Sequence, residues 1–160
     1  MFNTKKSIVI IEDNEYYSKL IQAKLLNMGY KNIKIFNNGE DALQYINKNE
    51  TVCIILDYIL SNVGLNGDSV LKKIKKIRKN SNVIMLSGQE DIKTATDLMK
   101  NGAYDYIVKN DMAFFNLQNS LRSLVRLSIL ERNKMGIIYL IISLIIFISS
   151  LFAGIKFGII

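Results

Sequence analysis

Four apolar segments of this chain each lead directly into side chains that can bind a metal ion or a phosphate group. The segments are residues 8–11, 52–56, 83–86 and 104–108. The side chains that follow them are three carboxylates, a hydroxyl and an ammonium: Glu12, Asp13, Asp57, Ser87 and Lys109. Clustered carboxylates repel one another and need a cation, and hard oxygen ligands with room for water suit Mg²⁺. These residue types predict Mg²⁺-dependent phosphate chemistry, provided that the fold brings them together.

The elements that must position these side chains alternate along the chain. Apolar strand-like segments are separated by amphipathic segments, a pattern typical of βαβ units and a parallel sheet. After Asp13, apolar residues follow helical spacing as far as Met28, and Gly29 is placed to end that helix. A final helix is predicted to start near Asp111. In an open parallel sheet, ligands bind beyond the carboxyl ends of the strands, so such a fold would gather the five side chains at one edge.

The order of these five side chains on an alternating β/α chain resembles the receiver domain of two-component response regulators. The resemblance covers roughly residues 5–125. It implies an α/β, doubly wound, flavodoxin-like fold, with a five-stranded parallel sheet in the order 2-1-3-4-5 and helices on both faces. We therefore expect a receiver domain over residues 1–125.

The resemblance also implies how the site works. Asp57 would be the phosphoacceptor, and Mg²⁺ would be the cofactor. The metal would be bound by the side chains of Asp13 and Asp57 and by the backbone carbonyl of Ile59. Glu12 would act mainly through a metal-bound water. The chain would then be a signalling phosphoacceptor and not an enzyme, limited to phosphorylation from a donor and loss of that phosphate.

Two further roles follow from the same resemblance. Ser87 and Lys109 would stabilise the phosphoryl group by a hydrogen bond and by charge. Ser87 and Tyr106 would form a conformational switch, in which movement of the hydroxyl toward the phosphate lets the aromatic side chain swing inward. Tyr106 stands three residues before Lys109 on the last predicted strand.

The chain contains no histidine. This removes the usual zinc ligand and the usual general base. It also removes the phosphohistidine donor, so the phosphoryl group for Asp57 must come from another molecule. The resemblance implies that this partner is a sensor histidine kinase or a histidine phosphotransfer protein.

Two features depart from the usual receiver pattern. Asn110 follows Lys109, where receivers commonly have proline, often after a cis bond. A cis bond before a residue other than proline costs about 3 kcal/mol, so we expect this bond to be trans. The loop between Asp57 and Gly67 is longer than is usual, and because it borders the acceptor it could affect the choice of partner.

The C-terminal part of the chain predicts a membrane anchor. Residues 135–155 are uncharged, and as a helix they would be about 31 Å long, close to the thickness of a bilayer's hydrocarbon core. We therefore predict a basic juxtamembrane helical extension over 126–134, a transmembrane helix over 135–155 and a short tail over 156–160. Basic residues are concentrated before the span, which predicts a cytoplasmic domain anchored to the cytoplasmic (inner) membrane by a single C-terminal span.

The net charge of +7 is concentrated on one predicted helix. Its basic residues are Lys72, Lys73, Lys75, Lys76, Arg78 and Lys79. They could form a solvated face or be attracted to anionic lipid. No nucleic-acid reader module accompanies them, so nucleic acid is not an expected partner. The single cysteine, Cys53, lies in an apolar segment, as a reducing compartment permits.

These observations favour a membrane-anchored receiver that signals through protein–protein interaction with an output protein that the sequence does not identify. Homodimerisation is one form that this output could take, since Ser150 and Gly154 make a small-xxx-small pair. Two alternatives stay open. The chain could be a phosphate sink or relay without output, or a membrane docking scaffold that is never phosphorylated.

Overall fold

The computed structural model describes residues 6–60 and 65–156, without the side chains of residues 132, 147 and 150–156. Within this part of the chain, strands and helices alternate. The strands are β1 (Ser7–Ile11), β2 (Ile33–Phe36), β3 (Thr51–Asp57), β4 (Val83–Ser87) and β5 (Asp105–Val108). The helices are α1 (Glu15–Asn27), α2 (Gly39–Lys48), α3 (Gly67–Ile77), α4 (Ile92–Lys100) and α5 (Ala113–Lys156). The last helix therefore starts two positions after the predicted Asp111.

The strands form one five-stranded sheet with the order β2-β1-β3-β4-β5. Every neighbouring pair is parallel. The predicted order 2-1-3-4-5 is thus confirmed. In this order β1 and β3 lie at the centre, and the chain reverses its direction of winding between them, which is where ligands bind in doubly wound sheets.

Both faces of the central strands are covered. Val9 and Ile11 of β1 belong to a buried cluster that also contains residues of α2, α3 and α4. Because side chains alternate along a strand, Ile8 and Ile10 point to the opposite face, and both are at most 2% exposed. Burial on both faces explains why the strands read as continuous apolar runs and show no polar alternation.

The helix boundaries follow from local side-chain chemistry. The residues that precede α1, α2, α3 and α4 each accept a hydrogen bond from a backbone N–H group of the first turn; they are Asn14, Asn38, Asn66 and Asp91. Gly29 and Gly102 follow α1 and α4 with φ of +88° and +95°, a conformation that glycine adopts without a steric penalty. The prediction that Gly29 ends the first helix is confirmed.

The chain divides into two compact units, residues 1–122 and residues 123–160. The first contains the whole sheet and helices α1 to α4. The described part of the second is α5 from Ser123 to Lys156, and residues 126–134, the predicted juxtamembrane extension, lie within this helix.

The transmembrane helix predicted over 135–155 is not supported. Among the residues that the structure describes, no helix is long and apolar enough to cross a membrane. Of the predicted span, side chains are described at 135–146, 148 and 149. The other side chains of the span, and those of the tail predicted over 156–160, lie outside the described residues.

Candidate functional site

The sheet register brings the predicted site residues to one edge. Ile11 at the end of β1 pairs with Leu56, so Glu12 and Asp57 follow at the same level. Asp57 pairs with Leu86 of β4, and Ser87 pairs with Val108 of β5. The four strand ends are therefore nearly level, and the side chains that follow them converge beyond the same edge of the sheet.

Three carboxylates form the centre of the site. Glu12, Asp13 and Asp57 each place one carboxylate oxygen within 4.8 Å of the others. Glu12 is 2% exposed and Asp57 is 4% exposed, while Asp13 is half-buried. Several hard oxygen donors in one crevice, open to solvent on the Asp13 side, fit a hydrated divalent cation such as Mg²⁺.

Lys109 lies between two of these carboxylates. Its Nζ is 2.7 Å from Oε2 of Glu12 and 2.9 Å from Oδ2 of Asp57. The lysine side chain is itself only 19% exposed. The ammonium therefore neutralises part of the buried negative charge, and it stands beside the oxygen atoms of Asp57 that could accept a phosphoryl group.

Burial and these charges shift the pKa values of both partners. Burial raises the pKa of Glu12 to about 7, with a further increase from the nearby Asp57, although the hydrogen bond from Lys109 works in the opposite direction. Burial alone would lower the pKa of Lys109, but its hydrogen bonds to Glu12 and Asp57 and their negative charges outweigh this, so its pKa is raised. Lys109 is therefore a cation throughout the physiological range.

The backbone that carries Asp57 is held by the start of α3. Ile59 N–H donates to Oδ1 of Asp57 at 3.3 Å, while the Ile59 carbonyl as a metal ligand stays a prediction. Gly67 N–H donates to the Tyr58 carbonyl at 3.1 Å. A Cβ on Gly67 would lie 2.3 Å from the Asp57 carbonyl oxygen, so only glycine fits there. Our sequence reasoning missed this role of Gly67; its only signal was a glycine directly after the Asn66 helix cap.

The predicted switch residues, Ser87 and Tyr106, both form hydrogen bonds with the backbone of Gln89. The sequence analysis did not assign Gln89 to the site. Ser87 is fully buried, and its Oγ accepts a hydrogen bond from Gln89 N–H at 3.0 Å. The Tyr106 hydroxyl donates to the carbonyl of the same Gln89 at 2.7 Å. Ser87 and Tyr106 thus both bind the backbone of Gln89, and the switch between them stays a prediction.

Tyr17 is a second residue that sequence reasoning did not assign to the site. Tyr17 is one of the residues at helical spacing after Asp13, a pattern that predicted only a helix. In the structure, Nζ of Lys109 lies 4.6 Å from the centroid of the Tyr17 ring. A cation at this distance over an aromatic face is attracted by the ring.

The loop after Lys109 has the expected trans geometry. The described residues contain no cis peptide bond, so the bond to Asn110 is trans, as predicted. Asn110 N–H donates to the Val108 carbonyl at 2.9 Å, and Oδ1 of Asn110 accepts from Met112 N–H at 3.0 Å. The asparagine thus shapes the turn into α5 through its backbone and its side chain.

The basic residues of α3 are only partly available to a partner. Lys72 forms an ion pair with Asp68 at 2.6 Å. Lys75 Nζ donates to the Ser81 carbonyl at 2.5 Å, and Nε of Arg78 donates to the Ile46 carbonyl at 2.9 Å. These three side chains have a role inside the domain, and the attraction of the helix to anionic lipid stays a prediction.

Comparisons with known proteins agree with this fold. The family model of the response regulator receiver domain matches residues 8–120. The chain therefore belongs to the response regulator receiver family, whose members are signalling phosphoacceptors and not classical enzymes.

The curated relatives are longer proteins. The putative response regulator NtrX-like of Rickettsia typhi is 38% identical over 102 residues, which are 64% of this chain and 21% of that protein. The transcriptional regulatory protein ZraR of Escherichia coli K12 is 28% identical over 114 residues, 71% of this chain and 25% of that protein. The chain thus matches a quarter or less of the length of these relatives.

Solved structures share the fold. The receiver domain of NtrX from Brucella abortus matches with a TM-score of 0.64 and 28% identity, over 72% of this chain and 98% of that one. The CheX–CheY complex of Borrelia burgdorferi, whose structure contains BeF3 and Mg²⁺, matches with a TM-score of 0.67 and 24% identity, over 75% of this chain and 89% of that one.

Proposed function

We propose that the chain is a response regulator receiver in which Asp57 accepts a phosphoryl group from a phosphohistidine on a partner histidine kinase or phosphotransfer protein. The observation that carries the proposal is the position of Lys109 Nζ, 2.9 Å from the Asp57 carboxylate. With Glu12 and Asp13 within the same 4.8 Å cluster, this supports a site built for an anionic group that arrives with a divalent cation. The chain has no histidine, so the donor lies outside this sequence.

The reaction needs positioning and charge stabilisation more than acid–base chemistry. A carboxylate oxygen of Asp57 forms the new O–P bond while the P–N bond to the donor imidazole breaks, and the imidazole keeps the electron pair and takes up a proton. Lys109 places its ammonium beside the attacking carboxylate, and Ser87 offers its hydroxyl to a phosphoryl oxygen.

Mg²⁺ would be held by Asp13, Asp57 and the backbone carbonyl of Ile59, with Glu12 bonded through a water. The fit rests on the donor set, since carboxylate and carbonyl oxygens are the ligands that Mg²⁺ prefers. When bound, the ion would supply positive charge at the phosphoryl oxygens.

The proposed output is a conformational switch that runs from Ser87 to Tyr106. It is supported by the two hydrogen bonds that meet at Gln89, one from its N–H to Ser87 Oγ and one to its carbonyl from the Tyr106 hydroxyl. Once Ser87 turns toward a phosphoryl oxygen, Gln89 N–H loses its acceptor and the loop moves with Tyr106. The changed surface would bind an output protein or a second copy of the chain.

The proposal also includes attachment to the cytoplasmic membrane through residues 135–155. Its support is the exposure of large apolar side chains at consecutive positions of α5: Ile137, Ile138, Tyr139, Leu140, Ile141 and Ile142. Successive residues of a helix are 100° apart, so these positions cover all sides of it. A protein partner would cover one stripe, whereas lipid would cover the whole circumference.

Membrane attachment is tested by fractionating cells that produce the 160-residue chain. If the proposal holds, the chain sediments with membranes, resists extraction at alkaline pH and is released by detergent. A variant with Ile141→Lys and Ile145→Lys should shift to the soluble fraction. Recovery of the unmodified chain in the soluble fraction as a discrete oligomer would show that the apolar surface is covered by other copies instead.

Phosphorylation is tested on the full chain with Mg²⁺ and phosphoramidate, by intact mass spectrometry. We expect one added phosphoryl group that is lost in Asp57→Asn and without Mg²⁺, and kept in the matched control Asp111→Asn, an exposed acid outside the site. The same adduct without any change in the amide spectrum around Gln89 and Tyr106 would favour the phosphate sink or relay. No adduct, under conditions that label another receiver, would favour the docking scaffold.

A further inference from the structure

We propose that Tyr17 is a positioning residue for Lys109. Its ring contacts the Lys109 ammonium, which also binds the carboxylates of Glu12 and Asp57, and Phe114 of α5 holds the ring in place. The inference deepens the proposed function and rests on it, because positioning of Lys109 matters for catalysis only if Asp57 is phosphorylated.

Two backbone N–H hydrogen bonds fix the position of Tyr17 at the start of α1. Tyr17 N–H donates to Oδ1 of Asn14 at 3.0 Å, the capping bond that starts α1. Asn14 N–H in turn donates to Oε1 of Glu12 at 3.3 Å. The start of α1 is therefore tied to the same carboxylate that holds Lys109, and the Tyr17 ring is placed at a defined distance from the site.

The Tyr17 ring is the aromatic contact of the Lys109 ammonium, beside its two ion pairs. An ammonium has three N–H donors, and among the described residues Lys109 forms ion pairs with the carboxylates of Glu12 and Asp57. The Tyr17 ring centroid lies 4.6 Å from Nζ, well inside the distance at which a cation is attracted to an aromatic face. The lysine is thus held by two carboxylates and one ring.

The ring differs from the carboxylates in one respect that matters for the reaction. Asp57 changes from a free carboxylate to an acyl phosphate, so its bond to Lys109 must be exchanged for one to a phosphoryl oxygen. The ring carries no charge: burial raises the pKa of the Tyr17 hydroxyl, which stays protonated at neutral pH, although the nearby Lys109 works against this shift. Its contact with the ammonium therefore persists while the anionic partners of Lys109 are exchanged.

The Phe114 ring packs against the Tyr17 ring. The centroids of Tyr17 and Phe114 are 5.9 Å apart with an interplanar angle of 31°, a favourable separation for an aromatic pair. Nζ of Lys24, which lies about two turns after Tyr17 on α1, is 5.5 Å from the Phe114 centroid. Tyr17 is thus packed against both the lysine of the site and the first turn of α5.

The test compares Tyr17→Phe, which keeps the aromatic ring, with Tyr17→Leu, which keeps apolar volume but removes the ring. Tyr16→Leu is the matched control, since Tyr16 is adjacent on α1 and 78% exposed. The full chain is phosphorylated with phosphoramidate at saturating Mg²⁺, and Mg²⁺ affinity is measured separately by calorimetry.

We expect Tyr17→Leu to slow phosphorylation about tenfold, as for the loss of a desolvated cation–π contact. Mg²⁺ affinity should change by less than about twofold, because Tyr17 is not a metal ligand, and Tyr17→Phe and Tyr16→Leu should behave as the unmodified chain.

A second readout reports the contact without any reaction. The ε-methylene protons of Lys109 should show an upfield ring-current shift in the NMR spectrum that is kept in Tyr17→Phe and lost in Tyr17→Leu. Absence of this shift in the unmodified chain would overturn the inference, and so would a normal phosphorylation rate for Tyr17→Leu. An equal loss in Mg²⁺ affinity and rate would mean that the ring only supports the fold of the site. If the shift is present but the unmodified chain takes up no phosphate, the contact stands and the proposed function fails.

Discussion

Nζ of Lys109 lies 2.7 Å from Oε2 of Glu12, although 97 positions separate the two residues in the sequence. Glu12 follows β1, at the centre of the sheet, and Lys109 follows β5, at its edge. The pair therefore spans the ends of β3 and β4, whose last residues are Asp57 and Ser87. The same ammonium lies 2.9 Å from Oδ2 of Asp57, so one lysine binds both Glu12 and the proposed acceptor carboxylate.

Lys109→Met should destabilise the chain in the absence of divalent cations. It leaves Glu12 and Asp57 buried without their cationic partner, and we expect the free energy of unfolding to fall by about 2 kcal/mol. Part of this loss should be recovered with Mg²⁺, because the ion would neutralise the same carboxylates. Urea denaturation with EDTA and with Mg²⁺ measures both effects. Lys73→Met, on the exposed side of α3, is the matched control, and an equal loss there would refute this explanation.

The shifted pKa of Glu12 predicts a pH dependence of stability without divalent cations. Its pKa is raised from 4.5 to about 7 in the folded chain, so the folded state binds more protons than the unfolded state between these values. The contribution of Glu12 is fully present below pH 4.5 and is lost as pH rises through 7, with an upper limit of about 3 kcal/mol. We expect the difference in unfolding free energy between the native chain and Glu12→Gln to change in this window. If the difference is constant from pH 5 to 8, burial does not raise this pKa.

Gly67→Ala should disturb the backbone of the acceptor residue. The added Cβ would lie 2.3 Å from the Asp57 carbonyl oxygen and 2.7 Å from Cα of Tyr58. Because both are backbone atoms, the strand end must shift, and we expect a loss of about 2–3 kcal/mol together with slower phosphorylation. Gly88→Ala is the matched control for stability, since a Cβ there meets nothing within 4 Å. Thermal or urea unfolding that gave both variants the same stability would contradict the close approach.

The sequence allowed the sheet and the main site residues to be predicted for a physical reason. Strands buried on both faces must be apolar throughout, so each strand end is marked by the first polar side chain. Asp57 and Ser87, the last residues of the buried strands β3 and β4, are such residues, and parallel pairing places them at the same edge as Lys109, which follows β5. The sheet order came only from the resemblance to receivers, since composition and periodicity leave strand order open.

Other parts of the site depend on side-chain directions that spacing does not determine. Tyr17 reads as an apolar position of α1, and only the structure shows its ring beside Lys109. Gln89 acts through its backbone, so its side-chain type carries no signal. The bond from Arg78 to the Ile46 carbonyl likewise joins elements that are distant in sequence, which is why the basic helix read as one uniform face.

Ser87→Ala should uncouple the loop after β4 from phosphorylation. The variant loses the acceptor for Gln89 N–H, at a cost of about 1 kcal/mol in stability. In the unmodified chain, the amide resonance of Gln89 should move when Asp57 is phosphorylated, and in Ser87→Ala this movement should be largely lost even where phosphate is still bound. Thr96→Ala, an exposed hydroxyl on α4, should keep it. A full Gln89 shift in Ser87→Ala would mean that the switch does not run through the serine hydroxyl.

Arg78→Ala should destabilise the domain, whereas Lys79→Ala should not. Arg78 donates from Nε to the Ile46 carbonyl at 2.9 Å and is half-buried, so the variant loses a charge-assisted hydrogen bond between the end of α3 and α2. We expect a loss of about 1–2 kcal/mol in the free energy of unfolding, against less than about 0.5 kcal/mol for the exposed Lys79. Both changes remove one positive charge, so binding to anionic vesicles should weaken equally if charge alone is responsible. If the two variants are equally stable, Arg78 is instead part of the solvated face that the sequence suggested.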